Sequence, residues 1–152
     1  MKFRLCLILV FTLLLPCVVL SQPADTGYRK QIEQFFSLMK DGKYPESVDY
    51  IYSGSPWMKS KGDEIAKVRN AFQGMTTMIG GFIGDELVVE EHLGQKLVHL
   101  NYVVYFERQP LRFYFQFYKP KDAWMTYAFG FKDDMDDWLA EKAKTKYTSR
   151  SQ

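Results

Sequence analysis

The order of segments predicts an α+β domain, with three N-terminal helices packed on one face of a four-stranded antiparallel sheet. Three observations predict it. Apolar residues between Tyr28 and Ile79 recur at helical spacing, and those between Glu86 and Lys132 alternate as in strands. The connections between the strand segments are short, which makes consecutive strands antiparallel neighbours.

The first helix spans about Tyr28 to Asp41, with Ile32, Phe35, Phe36 and Met39 on one stripe and Gly42 at its end. Pro45 suits the first turn of a second, short helix in which Val48 and Ile51 face inward, before Ser53-Gly54-Ser55-Pro56 breaks the chain. The third helix runs from about Asp63 to Ile79. Its stripe is Ile65, Val68, Phe72, Met75 and Ile79, and Gly80-Gly81 stops it.

Four strands follow: ELVVEEHL from Glu86, KLVHLNYVVYFE from Lys96, PLRFYFQFY from Pro110 and WMTYAFGFK from Trp124. One face of each long strand is apolar, as in Val98, Leu100, Tyr102, Val104 and Phe106, or Phe113, Phe115 and Phe117. In the last strand the same alternation groups Met125, Tyr127, Phe129 and Phe131 against Trp124, Thr126, Ala128 and Gly130. The opposite face is amphipathic and rich in tyrosine. Asp133 to Lys142 adds a closing helical turn anchored by Trp138 and Leu139, and 143–152 reads as a flexible tail.

Ahead of this domain, residues 1–21 have the layout of a secretory signal peptide: Lys2 and Arg4, then an uncharged apolar run from Leu5 to Leu20, then Ser21. The run is shorter than the ~20 residues of a spanning helix, so no membrane span is expected after cleavage. Residues 22–27 form a disordered lead-in, and 28–142 form the single domain. The chain is thus expected to be exported, periplasmic or secreted. A lipid anchor at Cys17 is the secondary reading, because Pro16 stands where that signal needs a small residue.

Both cysteines, Cys6 and Cys17, fall inside the signal segment, so disulfides and thiol chemistry are not expected in the mature chain. Lys2 and Arg4 account for the whole formal net charge of +2. The remaining near-neutral chain lacks the basic excess of a nucleic-acid binder.

Phe36-x-x-Met39-x-x-Gly42-x-Tyr44 between two helices, the helical first half, and strands ending in Trp124 and alternating aromatics resemble the nuclear transport factor two-like superfamily. Within it the resemblance is to small exported bacterial domains of unassigned function. The resemblance implies a curved, cone-shaped, cystatin-like sheet wrapped around the helices, with an apolar pocket between them. In this chain that pocket would be lined by Phe36, Phe72, Tyr102, Phe115 and Tyr127. Relatives in the superfamily use such a pocket for catalysis, ligand binding or dimerisation, so the fold alone does not select a function.

His99, His92 and Tyr102 are the candidates for an isomerase- or hydrolase-like centre, but His99 falls on the strand face turned away from the helices. Asp133-Asp134-Met135-Asp136-Asp137 lacks the glycine and distal Glu of a calcium loop, and helix capping accounts for it better. Gly80, Gly81 and Gly84 follow a helix, so they do not form a phosphate loop. No cofactor or metal is implied. On the tyrosine-rich face, His99, Arg112, Tyr114 and Tyr118 have the composition of an interface, most simply with a second copy. The expected function is an exported, non-enzymatic binding domain for a small apolar ligand or a partner. An enzyme with a base inside the cone and an accessory subunit of an envelope complex are the alternatives.

Overall fold

The structure, a computed structural model, describes residues 27–148. The expected signal peptide, Cys6, Cys17 and the lead-in up to residue 26 lie outside the described residues. Helix α1 (Gly27–Lys40) buries Tyr28, Ile32, Phe35, Phe36 and Met39. Gly42, at φ 75°, closes it: Gly42 N–H bonds to Met39 O at 2.9 Å and Lys43 N–H to Leu38 O at 2.9 Å. That pair satisfies two of the carbonyls a helix end leaves free. Helix α2 (Tyr44–Ser53) follows, with proline in its first turn and Val48, Ile51 and Tyr52 buried. A short 3-10 segment (Pro56–Lys61) leads into α3 (Gly62–Ile79). Only Phe72 and Ile79 of α3 are fully buried, while Ile65, Val68 and Met75 pack partly against the core.

The strands are β1 (Phe82–Leu93), β2 (Leu97–Phe106), β3 (Pro110–Tyr118) and β4 (Met125–Lys132), and they form one antiparallel meander in the order β1-β2-β3-β4. Strand β1 begins four residues before the expected Glu86, because Phe82 already pairs with Phe106. Two register shifts in β1, between Phe82 and Gly84 and between Leu87 and Val89, absorb the added length. Each shift lets one residue bulge out, and Ile83 and Val88 are accordingly exposed.

A third bulge corrects the expected phase of β4. Gln116 faces Ala128 and Phe117 faces Thr126, so Tyr127 has no partner across the ladder. The extra residue reverses the alternation beyond it, turning Thr126 and Trp124 inward and Tyr127 outward. Thr126 is fully buried, whereas Tyr127 is 51% exposed and its ring lies 5.9 Å from that of Trp57.

The core is a cluster of rings between helices and sheet. Phe35 meets Phe115 at 5.3 Å and Phe129 at 5.0 Å, and Phe72 meets Phe113 at 5.5 Å and Phe131 at 5.4 Å. Each buried ring contributes about 1.5–3 kcal/mol through area alone. A fourth helix, α4 (Met135–Thr148), continues through the stretch expected to begin the flexible tail. Its expected anchor Leu139 is 57% exposed. Trp138 instead lies beneath Arg112, with the guanidinium carbon 5.5 Å from the ring centroid. No helix among the described residues is long and apolar enough to cross a membrane.

Candidate functional site

Four of the five expected pocket residues are in the core itself. Phe36, Phe72, Tyr102 and Phe115 are buried, and Phe36 touches Tyr102 at 5.2 Å and Phe115 at 5.9 Å. Burial raises the Tyr102 phenol to about 12, with Asp85 adding to the effect. Tyr127 faces outward because of the β4 bulge. The rings fill the space between helices and sheet, and none of the three cavities described here is lined by any of these five residues.

Where β1 passes α1, a polar cluster forms that the sequence did not reveal. Tyr28 Oη donates to Glu90 Oε1 at 2.6 Å, His92 Nε2 lies 3.1 Å from the same oxygen, and Arg29 pairs with Glu90 Oε2. Arg29 reaches a carboxylate sixty-one positions away in the chain. Burial pushes the Glu90 carboxyl up, but the hydrogen bonds from Tyr28 and His92 and the Arg29 charge outweigh it and leave it below its ordinary range. The Tyr28 phenol is pushed up by burial and by Glu90. This is an acid beside a histidine and a tyrosine, but no described cavity borders it.

On the outer face, His99 sits between Asn101 Nδ2 at 2.9 Å and the Gln116 amide at 3.2 Å, with Tyr114 stacked alongside at 6.4 Å. Asn101 Oδ1 accepts from Arg112 at 3.4 Å, which leaves its amide nitrogen to donate to His99 Nε2. A neutral ring that accepts there carries its proton on Nδ1, and the Gln116 amide must then turn its oxygen, not Nε2, toward that proton. Burial lowers the His99 pKa; Glu91 opposes that shift and Arg112 adds to it.

Arg112 Nε also donates to Asp134 Oδ1 at 3.0 Å, and its Nη2 pairs with Asp134 Oδ2. The Asp134 carboxylate, expected among the caps of the last helix, is therefore turned to the sheet. The bond to Arg112 holds it below the usual carboxylate range. Tyr114 lies across Gly130, where any Cβ would run into its ring. Of the four expected interface residues, His99, Arg112 and Tyr114 thus belong to one half-buried network. Tyr118 stands apart, 41% exposed, at the other end of the face.

Open volume with apolar walls lies between α3 and the sheet. A groove of about 480 Å³ is walled by Gly74, Met75 and Met78 of α3 and by Leu111, Phe131 and Asp133. Gly74 presents no side chain, and nothing lies within 4 Å of where its Cβ would be, so the helix surface is open there. Met78 is 73% exposed. Beside it, an acidic cavity of about 440 Å³ at the start of α4 shares Gln109 and Asp133 with the groove. Thioethers and rings can hold an apolar ligand there, and Asp133 is the one titratable wall residue of the groove. Among the described residues, no set of three His, Cys, Asp or Glu side chains is placed to hold a metal ion.

The helical stripe of the third helix anticipated Met75, but the groove itself depends on where β3 and β4 end against α3. No protein-family model, no curated protein and no solved structure matches this chain.

Proposed function

We propose that the chain is an exported binding domain without catalytic machinery, and that its ligand-facing surface is the apolar groove between α3 and the ends of β3 and β4. The observation that carries this reading is the placement of open volume. The interior is filled by Phe35, Phe36, Phe72, Phe113 and Phe115, while Met75 and Met78 wall an open groove outside it. Exposed methionines present an adaptable apolar surface, and a contiguous patch of that kind marks a binding site more often than idle surface. The groove volume of about 480 Å³ is within the range of small-molecule sites, roughly 300–1,000 Å³.

The alternative of an isomerase- or hydrolase-like enzyme has its best candidate base in Glu90 or His92. Neither borders a described cavity, which favours binding over catalysis. The helices-then-meander order supports the nuclear transport factor two-like resemblance, with three N-terminal helices inside a cone-shaped sheet. Export rests on the layout of residues 1–21.

Association with a second copy is favoured by one corner of the outer face. Leu93 and Tyr118 are 63% and 41% exposed, and both pair with Leu97 across the ladder. Native mass spectrometry of the protein from its own host tests both readings, with the expected results a retained apolar ligand and a dimer that Tyr118→Lys dissociates. Nile red fluorescence should also rise on the wild-type chain and fail to rise on Met78→Asp. Equal enhancement by both chains would sink the groove reading.

A further inference from the structure

The outer face of the sheet carries a chain of hydrogen bonds whose direction is fixed from one end. The Asp134 carboxylate only accepts and the Arg112 guanidinium only donates, so the bonds between them can run one way. Arg112 Nη1 donates onward to Asn101 at 3.4 Å, which requires the Asn101 amide to turn its oxygen to Arg112. The amide nitrogen is then left facing His99 Nε2 at 2.9 Å, and that ring nitrogen must accept. An imidazolium has no lone pair to offer there. The chain is complete only while His99 is neutral.

Turning an amide does not absorb the extra proton. If Asn101 keeps its orientation, the new Nε2–H of His99 meets the Asn101 amide nitrogen, and two donors face each other. If Asn101 turns over, its oxygen serves His99 but its nitrogen meets the Arg112 guanidinium, which cannot accept. Asn101 is 6% exposed, so little water reaches it to repair the loss. Gln116 imposes no such limit, because its amide can turn its oxygen to His99 Nδ1 in either state of the ring.

The groups around His99 set the sign of the effect. Burial disfavours the cation, Glu91 opposite on β1 favours it, and Arg112 on β3 disfavours it. Gln116, opposite on β3, and Asn101, on the same strand, bring amides, and Tyr114 stacks alongside. From the α4 side, Asp134 and Glu141 act on Arg112. The balance depresses the folded-state pKa below the ordinary value of about 6.5. The stability supplied by the neutral ring is therefore complete above that pH, and is lost as pH falls through the lower folded value.

We propose that His99 is a proton-operated latch that holds Arg112, and with it Asp134 and α4, against the outer face of the sheet. The link from ring to helix is short. Arg112 is bonded to Asp134, immediately before α4, and its guanidinium carbon lies 5.5 Å from the ring centroid of Trp138 in that helix. When His99 takes up a proton, Arg112 loses Asn101 and gains a positive neighbour, so Arg112, Asp134 and the first turn of α4 loosen from the sheet together. The latch goes beyond the groove reading and does not depend on it.

The test uses the full chain, ¹⁵N-labelled, with His92→Asn to tell the two histidines apart. Long-range proton–nitrogen spectra at neutral pH are expected to show His99 as the Nδ1–H tautomer, and titration should give it a midpoint below that of an ordinary histidine. Across that midpoint the protection of α4 amides against hydrogen exchange should fall about two- to tenfold, as loss of one hydrogen bond does. His92→Asn should leave this step in place, whereas His99→Gln should remove it and keep the acid transition of Asp134. Asn101→Asp inverts the device. An aspartate there accepts from Arg112 and from a protonated His99 at once, so the His99 midpoint should rise and the α4 step should vanish. An Nε2–H tautomer or an undepressed midpoint in the wild-type chain, α4 protection that ignores the His99 titration, or a step that survives in Asn101→Asp would each overturn the latch.

Discussion

The two faces of the sheet come from the same strands but are stabilised by different physics. The inner face is a layer of rings, with Phe113, Phe115 and Phe117 fully buried, and its stability scales with apolar area and close packing. The outer face is a hydrogen-bonded chain running Gln116, His99, Asn101, Arg112 and Asp134, with α4 attached at one end. Strand periodicity supplies both faces. The inner one is intolerant of lost volume, while the outer one is directional, partly wet and titratable.

The largest expected effect breaks the inner face. Phe115→Ala removes a fully buried ring that touches Phe35, Tyr102 and Phe129, and should lower unfolding free energy by about 3–5 kcal/mol in urea titrations. Against a total of about 5–15 kcal/mol for a domain, that is a large share.

Next comes the packing device of the outer face. Gly130→Ala places a Cβ against the Tyr114 ring, which must move, at about 1–3 kcal/mol. Tyr114→Val should recover most of that loss, since it empties the space the Cβ needs. A double-mutant cycle that adds without coupling would refute the contact.

The smallest effect sharpens the comparison through pH. The folded-state pKa of Asp134 is depressed by Arg112, so the pair stabilises the fold above the unfolded carboxylate pKa, about 3.9. That stability is lost as pH falls through the lower folded value. Trp138 fluorescence should report the loosening of α4 in that acid window. Asp134→Asn should abolish the transition and lower stability at neutral pH by about 0.2–1 kcal/mol, given the partial exposure of the pair. Glu90 is also depressed, so subtracting the Asp134→Asn profile isolates the outer pair.

Much of this fold was legible along the chain, because helix and strand periods are local. Phe35, Phe36 and Met39 fall on one helical stripe, and Phe113, Phe115 and Phe117 on one strand face, whatever the rest of the molecule does. Tyr127 was misplaced for a reason equally local in scale but invisible to a period: one bulged residue reverses every side chain beyond it. The polar sites were out of reach for a different reason. Glu90 meets Tyr28 across sixty-two positions, and nothing in either neighbourhood marks the pairing. Where a pocket was expected, large side chains from several segments meet, a quantity no single segment carries.

The sequence by itself determined which stretches are helix and strand, which strand neighbours are antiparallel, and which rings are apolar enough to build a core. Only the tertiary structure decided where space remains: a groove beside α3, and a corner around Trp124. The physical reason is that periodicity belongs to one segment, whereas a cavity is the volume that several segments together fail to fill.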